Sequence, residues 1–80
     1  MLILRQDRST IYNLSKHIRL DILESAESWD IYCIKENSNS YFKGAEVASY
    51  STKERCQEVL EEIIKKAEVG CNTYIMPEEW

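Results

Sequence analysis

Apolar and polar residues alternate along much of the first half of the chain. The clearest case is the segment 17–22, where aliphatic residues occupy every second position, at Ile18, Leu20 and Ile22. Successive side chains of a β-strand point to opposite faces, so this alternation predicts a strand with one face in the core. Other runs of β-forming residues predict strands at 2–4, 10–14, 29–35, 41–49 and 73–76, the first two forming a hairpin.

The period of the pattern changes after residue 50. Apolar residues then recur at intervals of three and one, at Cys56, Val59, Leu60, Ile63, Ile64 and Ala67. This spacing predicts one amphipathic helix with a single stripe facing the core. Ser51, with Glu54 three residues later, fits a capping box, and Thr52 is the alternative cap. Gly70 predicts the end of the helix in a left-handed conformation.

These elements predict one α+β domain over residues 1–80, in the order β-β-β-β-α-β. We expect a mostly antiparallel sheet of 4-5 strands, capped by the one C-terminal helix. Gly44 predicts a bulge in the strand before the helix. The segment 29–35 carries apolar residues on both faces, which is typical of a strand covered by a helix on one side and a partner subunit on the other. Because so short a chain buries a limited core, we expect a homo-oligomer.

Composition and charge narrow the function classes. The chain is 44% hydrophobic and 30% charged, with two glycines and one proline, which is typical of an ordered globular protein. The net charge is −4, yet residues 1–23 hold four basic and two acidic side chains. Because the excess positive charge is local, we do not expect nucleic-acid binding. The apolar run 1–4 is too short for a signal or a membrane span, so we expect no membrane association and a cytoplasmic location.

The residue pattern does not predict catalysis, a cofactor or a metal. The chain has no glycine-rich phosphate loop, and His17 is its one histidine. Zinc sites usually need paired, closely spaced ligands, whereas Cys33, Cys56 and Cys71 lie far apart. Reduced thiols are expected, although whether any two pair in space is left open. Spacing alone does not exclude a Cys–His nucleophile, but no motif surrounds any of these cysteines.

Two sets of side chains are candidates for binding. The first is basic and suits an anionic small molecule: Arg5, Arg8, Lys16 and Arg19. The alternative interpretation is that these charges keep exposed strand edges soluble. The second set is aromatic and suits a protein interface: Trp29, Tyr32 and Trp80.

Part of the sequence resembles short proteins encoded by phages and prophages of Gram-positive bacteria. The resemblance lies in the segments 2–7, 11–13, 50–63 and 74–78, roughly half of the chain. It implies a non-enzymatic accessory protein in the cytoplasm of the bacterial host cell. Such proteins often antagonise host defence, so the first expectation is an oligomer that sequesters a nucleotide-type anion. The alternative is an adaptor or inhibitor that binds a host or phage protein through a sheet face and the C-terminal tryptophan.

Overall fold

Six strands and one helix make up the computed structural model, which describes residues 1–15, 18–35 and 44–79. The elements are β1 (Leu2–Leu4), β2 (Ile11–Asn13), β3 (Ile18–Glu24), β4 (Trp29–Lys35), β5 (Ala45–Tyr50), α1 (Lys53–Glu68) and β6 (Thr73–Ile75). The α+β class expected from the sequence is confirmed. However, five strands precede the helix instead of the four in the expected order.

The strands form two small sheets, so the expectation of one sheet of 4-5 strands was wrong. The N-terminal sheet has the order β2-β1-β6 and the central sheet has the order β3-β4-β5. The predicted hairpin of β1 and β2 is confirmed as antiparallel, while β6 pairs with β1 in parallel. Because β1 has a hairpin partner on one edge and β6 on the other, it has no edge left for β3.

The central sheet is an antiparallel meander with one irregularity. Ile31 pairs with Ala48 and Tyr32 pairs with Glu46, so Val47 is the extra residue of a bulge in β5. The bulge therefore lies later in the chain than the Gly44 position at which the sequence predicted it.

Gly44 has a different role, because its backbone passes close to the side chain of Ile34. A Cβ atom added at Gly44 would lie 2.8 Å from Cγ1 of Ile34 and 3.2 Å from the carbonyl oxygen of Cys33. A larger residue would therefore push the chain away from the end of β4.

The core lies between α1 and the inner faces of both sheets. Its buried members come from every layer: Ile3, Ile31, Val47, Ala48, Tyr50, Cys56, Val59, Ile63, Tyr74 and Met76. Leu20 and Ile22 pack against this cluster, as the alternation in β3 predicted. The helix stripe is narrower than predicted, since Ile64 is 59% exposed.

The helix begins at a threonine cap. Thr52 is the N-cap, and its hydroxyl accepts a hydrogen bond of 3.1 Å from the backbone N–H of Arg55. The alternative prediction was therefore correct, and Ser51 as the cap was wrong. With Thr52 as cap, the third helical residue is Arg55, so Glu54 does not complete a capping box.

The helix ends at Gly70, as predicted. This residue has φ +84°, in the left-handed region. Its N–H donates to the carbonyl of Ala67, and the N–H of Cys71 donates to the carbonyl of Lys66, both at 3.0 Å. This pair of bonds is a Schellman motif, which satisfies carbonyls that a helix end otherwise leaves without donors.

The side chain of Gln6 joins the turn after β1 to the edge of β5 and to the segment after β6. Its Oε1 accepts from the backbone N–H of Ser49 at 2.9 Å, and its Nε2 donates to the carbonyl of Ser49 at 3.0 Å. The same Nε2 also donates to the carbonyl of Pro77 at 3.1 Å, just beyond β6. The backbone N–H of Gln6 donates to the carbonyl of Val47 at 2.8 Å. Gln6 thus pairs with the outer edge of β5 much as a neighbouring strand would.

The two cap assignments make opposite predictions for two alanine variants. Thr52→Ala removes the capping oxygen, so we expect it to lower the free energy of unfolding by about 1 kcal/mol. Ser51→Ala leaves every described capping bond in place and should change it by less than about 0.5 kcal/mol. Urea unfolding monitored by circular dichroism measures the free energy of unfolding of both variants. A larger loss for Ser51→Ala than for Thr52→Ala would contradict the assignment.

Removing the glutamine link should cost more than removing a cap. Gln6→Ala deletes three side-chain hydrogen bonds and leaves the Ser49 N–H without its acceptor, so we expect a loss of about 2–3 kcal/mol in the free energy of unfolding. Gln57→Ala is the matched control, because Gln57 is exposed on the helix and should change stability by less than about 0.5 kcal/mol. Equal effects in urea unfolding would show that Gln6 does not hold the sheets together.

Candidate functional site

Arg5 holds the turn between β1 and β2 against the central sheet. Its Nε donates to the carbonyl of Glu46 at 2.8 Å, and its guanidinium lies 3.7 Å from the Glu46 carboxylate. A second ion pair joins it to Asp7. Hydrogen bonds from the hydroxyl and the N–H of Ser9 lower the pKa of Asp7, with Arg5 adding to the effect. Arg5 therefore already has two carboxylates as partners.

Arg8 is similarly engaged, at the far end of the same turn. Its guanidinium donates to the carbonyls of Gln6 and Met76 at 3.1 and 3.2 Å, and it lies 3.5 Å from the carboxylate of Glu78. Its backbone has φ +67°, which is uncommon for a residue other than glycine. These contacts tie the turn to the segment after β6.

Arg19 does not join Arg5 and Arg8 at this turn. Arg19 lies on β3, in the other sheet, and its Nε is 2.9 Å from Oδ2 of Asp21. Lys16 lies outside the described residues. The structure thus places Arg5 and Arg8 on one turn, as expected, and Arg19 elsewhere.

The space beside Arg5 is too small for a nucleotide. The cavity there has a volume of about 40 Å³, whereas ligand pockets usually measure about 300–1,000 Å³. The pKa of Glu46, which lines this cavity, is raised chiefly by burial and next by the nearby carboxylate of Asp30. Arg5 opposes that shift without reversing it. An anion at this position would have to displace carboxylates and meet a negative field.

The aromatic residues of β4 do not share one surface. Trp29 faces the helix, where Nζ of Lys53 lies 5.5 Å from the centre of its ring. Tyr32 is three residues later and points to the opposite face of the sheet. Trp80 lies outside the described residues. The interface predicted from Trp29, Tyr32 and Trp80 is therefore not a single patch within the described part of the chain.

The outer face of the N-terminal sheet is a surface that the sequence analysis missed. Residues paired side by side across strands share a face, and on this one they are Leu2, Leu4, Ile11, Asn13, Thr73 and Ile75. Leu2 is 41% exposed, Ile11 62% and Ile75 56%. The strand alternation was the available signal, because burial of Ile3 forces Leu2 and Leu4 to the other side.

The cysteines show no feature of an activated nucleophile. All three are free thiols. Cys56 is fully buried, its Sγ lies 3.4 Å from the carbonyl oxygen of Trp29, and burial raises the pKa of its thiol to about 11. Burial also raises the pKa of Cys33. A high pKa opposes the thiolate form on which nucleophilic attack depends.

The described residues show neither a cluster of metal ligands nor a membrane-spanning helix. Within residues 1–15, 18–35 and 44–79, no three potential ligands among His, Cys, Asp and Glu gather to hold a metal ion. No helix in the described part of the chain is long and apolar enough to cross a membrane.

No family model matches the chain, and no curated protein or solved structure matches it either. The function is therefore inferred from the chain's own residues.

Alkylation tests the burial of Cys56 directly. At pH 8 a thiol of pKa about 11 is ionised in roughly one molecule in a thousand, so folded protein treated with iodoacetamide should keep Cys56 unmodified. Cys71 is partly exposed and serves as the internal control, which should be modified first. Peptide mass spectrometry measures both sites, with a sample in urea as the fully reactive reference. Equal rates at the two sites in folded protein would contradict the structure.

Proposed function

We propose that this protein is a non-enzymatic binding protein that recognises another protein through the outer face of the N-terminal sheet. The observation that carries the proposal is the row of aliphatic side chains on that face, in which the exposed Ile11 and Ile75 flank the half-buried Leu4. Leu4 pairs directly with Ile11 on one side and with Ile75 on the other, so the three side chains are neighbours. The resemblance to phage accessory proteins suggests a host or phage protein as the partner, in the bacterial cytoplasm.

The arrangement of these side chains distinguishes them from ordinary surface residues. Single exposed aliphatic residues are common on soluble proteins and need no explanation. Here three of them, Leu2, Ile11 and Ile75, share one face of a three-stranded sheet with the half-buried Leu4, and no charged side chain occupies the paired positions on that face. Interface cores are depleted of charge in the same way, and their apolar centres dominate binding energy.

Sequestration of an anion by Arg5, Arg8, Lys16 and Arg19 receives less support. The guanidinium groups of Arg5 and Arg8 have carboxylate and carbonyl partners, and the adjoining cavity is about 40 Å³. Binding an anion there would expose those carboxylates to a like charge. Trp80 is retained from the sequence as a second proposed contact with the protein partner, and the homo-oligomer remains a prediction.

Introducing charge at the proposed surface tests it. The variant with both Ile11→Asp and Ile75→Asp places two carboxylates in the centre of the face, so we expect partner affinity to fall by more than about a hundredfold. Affinity capture from a bacterial lysate with quantitative mass spectrometry identifies the proteins retained, and titration of the purified partner gives the affinity. Circular dichroism confirms that the variant is folded.

Ile64→Asp is the matched control. Ile64 is exposed to a similar degree as Ile11 and Ile75 but lies on the helix, so the same substitution there should leave binding unchanged. Loss of binding in the control alone, or retention in the double variant, would overturn the proposed surface. Native mass spectrometry distinguishes self-association from partner binding. If a second copy of the chain occupies this face, the unmodified protein gives a dimer mass that the double variant does not.

A further inference from the structure

Asp30 is a buried carboxylate that pairs with no cation among the described residues. It lies on β4, on the face of the central sheet away from the helix, and it is only 7% exposed. The hydroxyls of Ser28 and Ser49 both donate to its Oδ1, at 2.7 and 2.8 Å. No basic side chain in the described part of the chain forms an ion pair with it. Buried carboxylates are usually paired, so this one needs an explanation.

The second oxygen of Asp30 has no donor among the described residues, and Asp30 lines a hollow. No hydrogen bond from a described residue reaches Oδ2. Among the described residues, every solvent-inaccessible side-chain oxygen has a hydrogen-bond partner. Oδ2 is therefore accessible to solvent. The hollow beside it has a volume of about 350 Å³ and is lined by Leu23, Glu24, Ser25, Asp30 and Tyr32. We call this the acidic hollow.

The carboxylate is held in a fixed orientation. Ser28 is itself positioned by Ser25, whose N–H donates to the Ser28 carbonyl at 2.9 Å and whose Oγ lies 2.7 Å from Ser28 Oγ. Ser49 is held on the other side by the two backbone bonds to Gln6. Oδ1 is thus occupied from two sides, while Oδ2 keeps its capacity to accept. A site preorganised in this way needs little reordering when a ligand enters.

We propose that the acidic hollow binds an alkylammonium group. An ammonium is a compact charge with three donors, which suits the one oxygen of Asp30 that has no described donor, and Glu24, which also lines the hollow, adds negative charge. A guanidinium binds best through two parallel bonds to one carboxylate, and Oδ1 of Asp30 is already occupied. The side chains of Leu23 and Tyr32 line the same hollow and match the alkyl chain, and the tyrosine ring also attracts a cation.

The strand register fixes the apolar wall of the hollow, and a neighbouring carboxylate favours a cation over an anion there. Leu23 pairs directly with Asp30, and Tyr32 follows two residues later on the same face, so the apolar wall is fixed by the sheet register. Glu46 lies near enough to Asp30 for their carboxylates to repel each other. A cation in the hollow would relieve this repulsion, whereas an anion would increase it.

Amide-resolved NMR titration tests the proposal with defined probes. n-Butylammonium chloride added to ¹⁵N-labelled protein should shift the amides of Ser25, Asp30 and Tyr32 in a saturable way. n-Butylguanidinium, the matched probe, should bind at least about threefold more weakly because its fork finds one free oxygen. Tighter binding of the guanidinium, or shifts spread equally over the helix carboxylates, would overturn the proposal.

Variants locate the site within the hollow. Asp30→Asn keeps an acceptor for the two serine hydroxyls but removes the charge, so n-butylammonium should bind at least about tenfold more weakly. Glu24→Gln and Tyr32→Leu leave the buried carboxylate intact and should each weaken binding by about threefold, so the test stands even if Asp30→Asn does not fold. Glu58→Gln, on the exposed face of the helix, is the control and should have no effect. Unchanged affinity in the Glu24 and Tyr32 variants would overturn the site.

The source of the ammonium is a free amine or a lysine side chain of another protein. 1,4-Diaminobutane and Nα-acetyl-lysine N-methylamide carry the same group with different surroundings. A tenfold preference for the diamine assigns a free amine, while a preference for the lysine derivative assigns a protein lysine. Saturable binding of either one supports the alkylammonium site, and binding of neither overturns it. This outcome is independent of the Ile11 and Ile75 variants, which alter the other sheet.

Discussion

The bonds that Gln6 makes to the edge of β5 determine how the two sheets are placed. The hydrophobic core joins the sheets, but it fixes no register because apolar contacts are not directional. At the edge of β5, the amide of Gln6 accepts from and donates to Ser49, and its backbone pairs with Val47. The bulge at Val47 is located where this pairing occurs, since an extra residue re-aims the local hydrogen-bonding groups.

The polar contacts at the edge of β5 also determine which charged side chains are available for function. The Arg5 guanidinium donates to the Glu46 carbonyl and lies near the Glu46 carboxylate at the same edge of β5, so an anion at Arg5 would compete with these partners. Ser49, held by Gln6, directs its hydroxyl to one oxygen of Asp30, and the other oxygen has no donor among the described residues. A single set of bonds therefore disfavours an anion at the β1–β2 turn and presents a carboxylate on the adjacent face. The edge of β5 is covered by the same set, which protects it from pairing with other chains.

Local sequence patterns predicted what depends on local structure. The strands at 2–4 and 29–35, the core side of β3 and the Gly70 helix end were all predicted, because each follows from a few neighbouring residues. The division into two sheets was not predicted, since it depends on β6 returning to β1 and on Gln6 bonding to residues 43 and 71 positions away. Gln6 lies in a segment that reads as a plain turn.

The binding residues show the same limit. The partners of Arg5 and Arg8 in the central sheet and beyond β6 lie 41 and 68 positions along the chain, so their side chains look available in the sequence. Asp30 looks like one more acidic residue of a strand, and neither its burial nor the lack of a cationic partner among the described residues is visible before the fold is known. Only the alternation around Ile3 carried a usable signal, because a buried central residue forces its neighbours outward.

The aliphatic character of the outer face is not a requirement of the strands that form it. Asn13 and Thr73 occupy paired positions on the same face and on the same edge strands as Ile11 and Ile75. Threonine has a β-propensity comparable to isoleucine, so a polar residue would serve the local backbone equally well. Ile11 gains little from burial, since more than half of its surface is exposed. The exposed aliphatic residues are thus explained by neither strand propensity nor core packing, and the proposed contact with another protein would account for them.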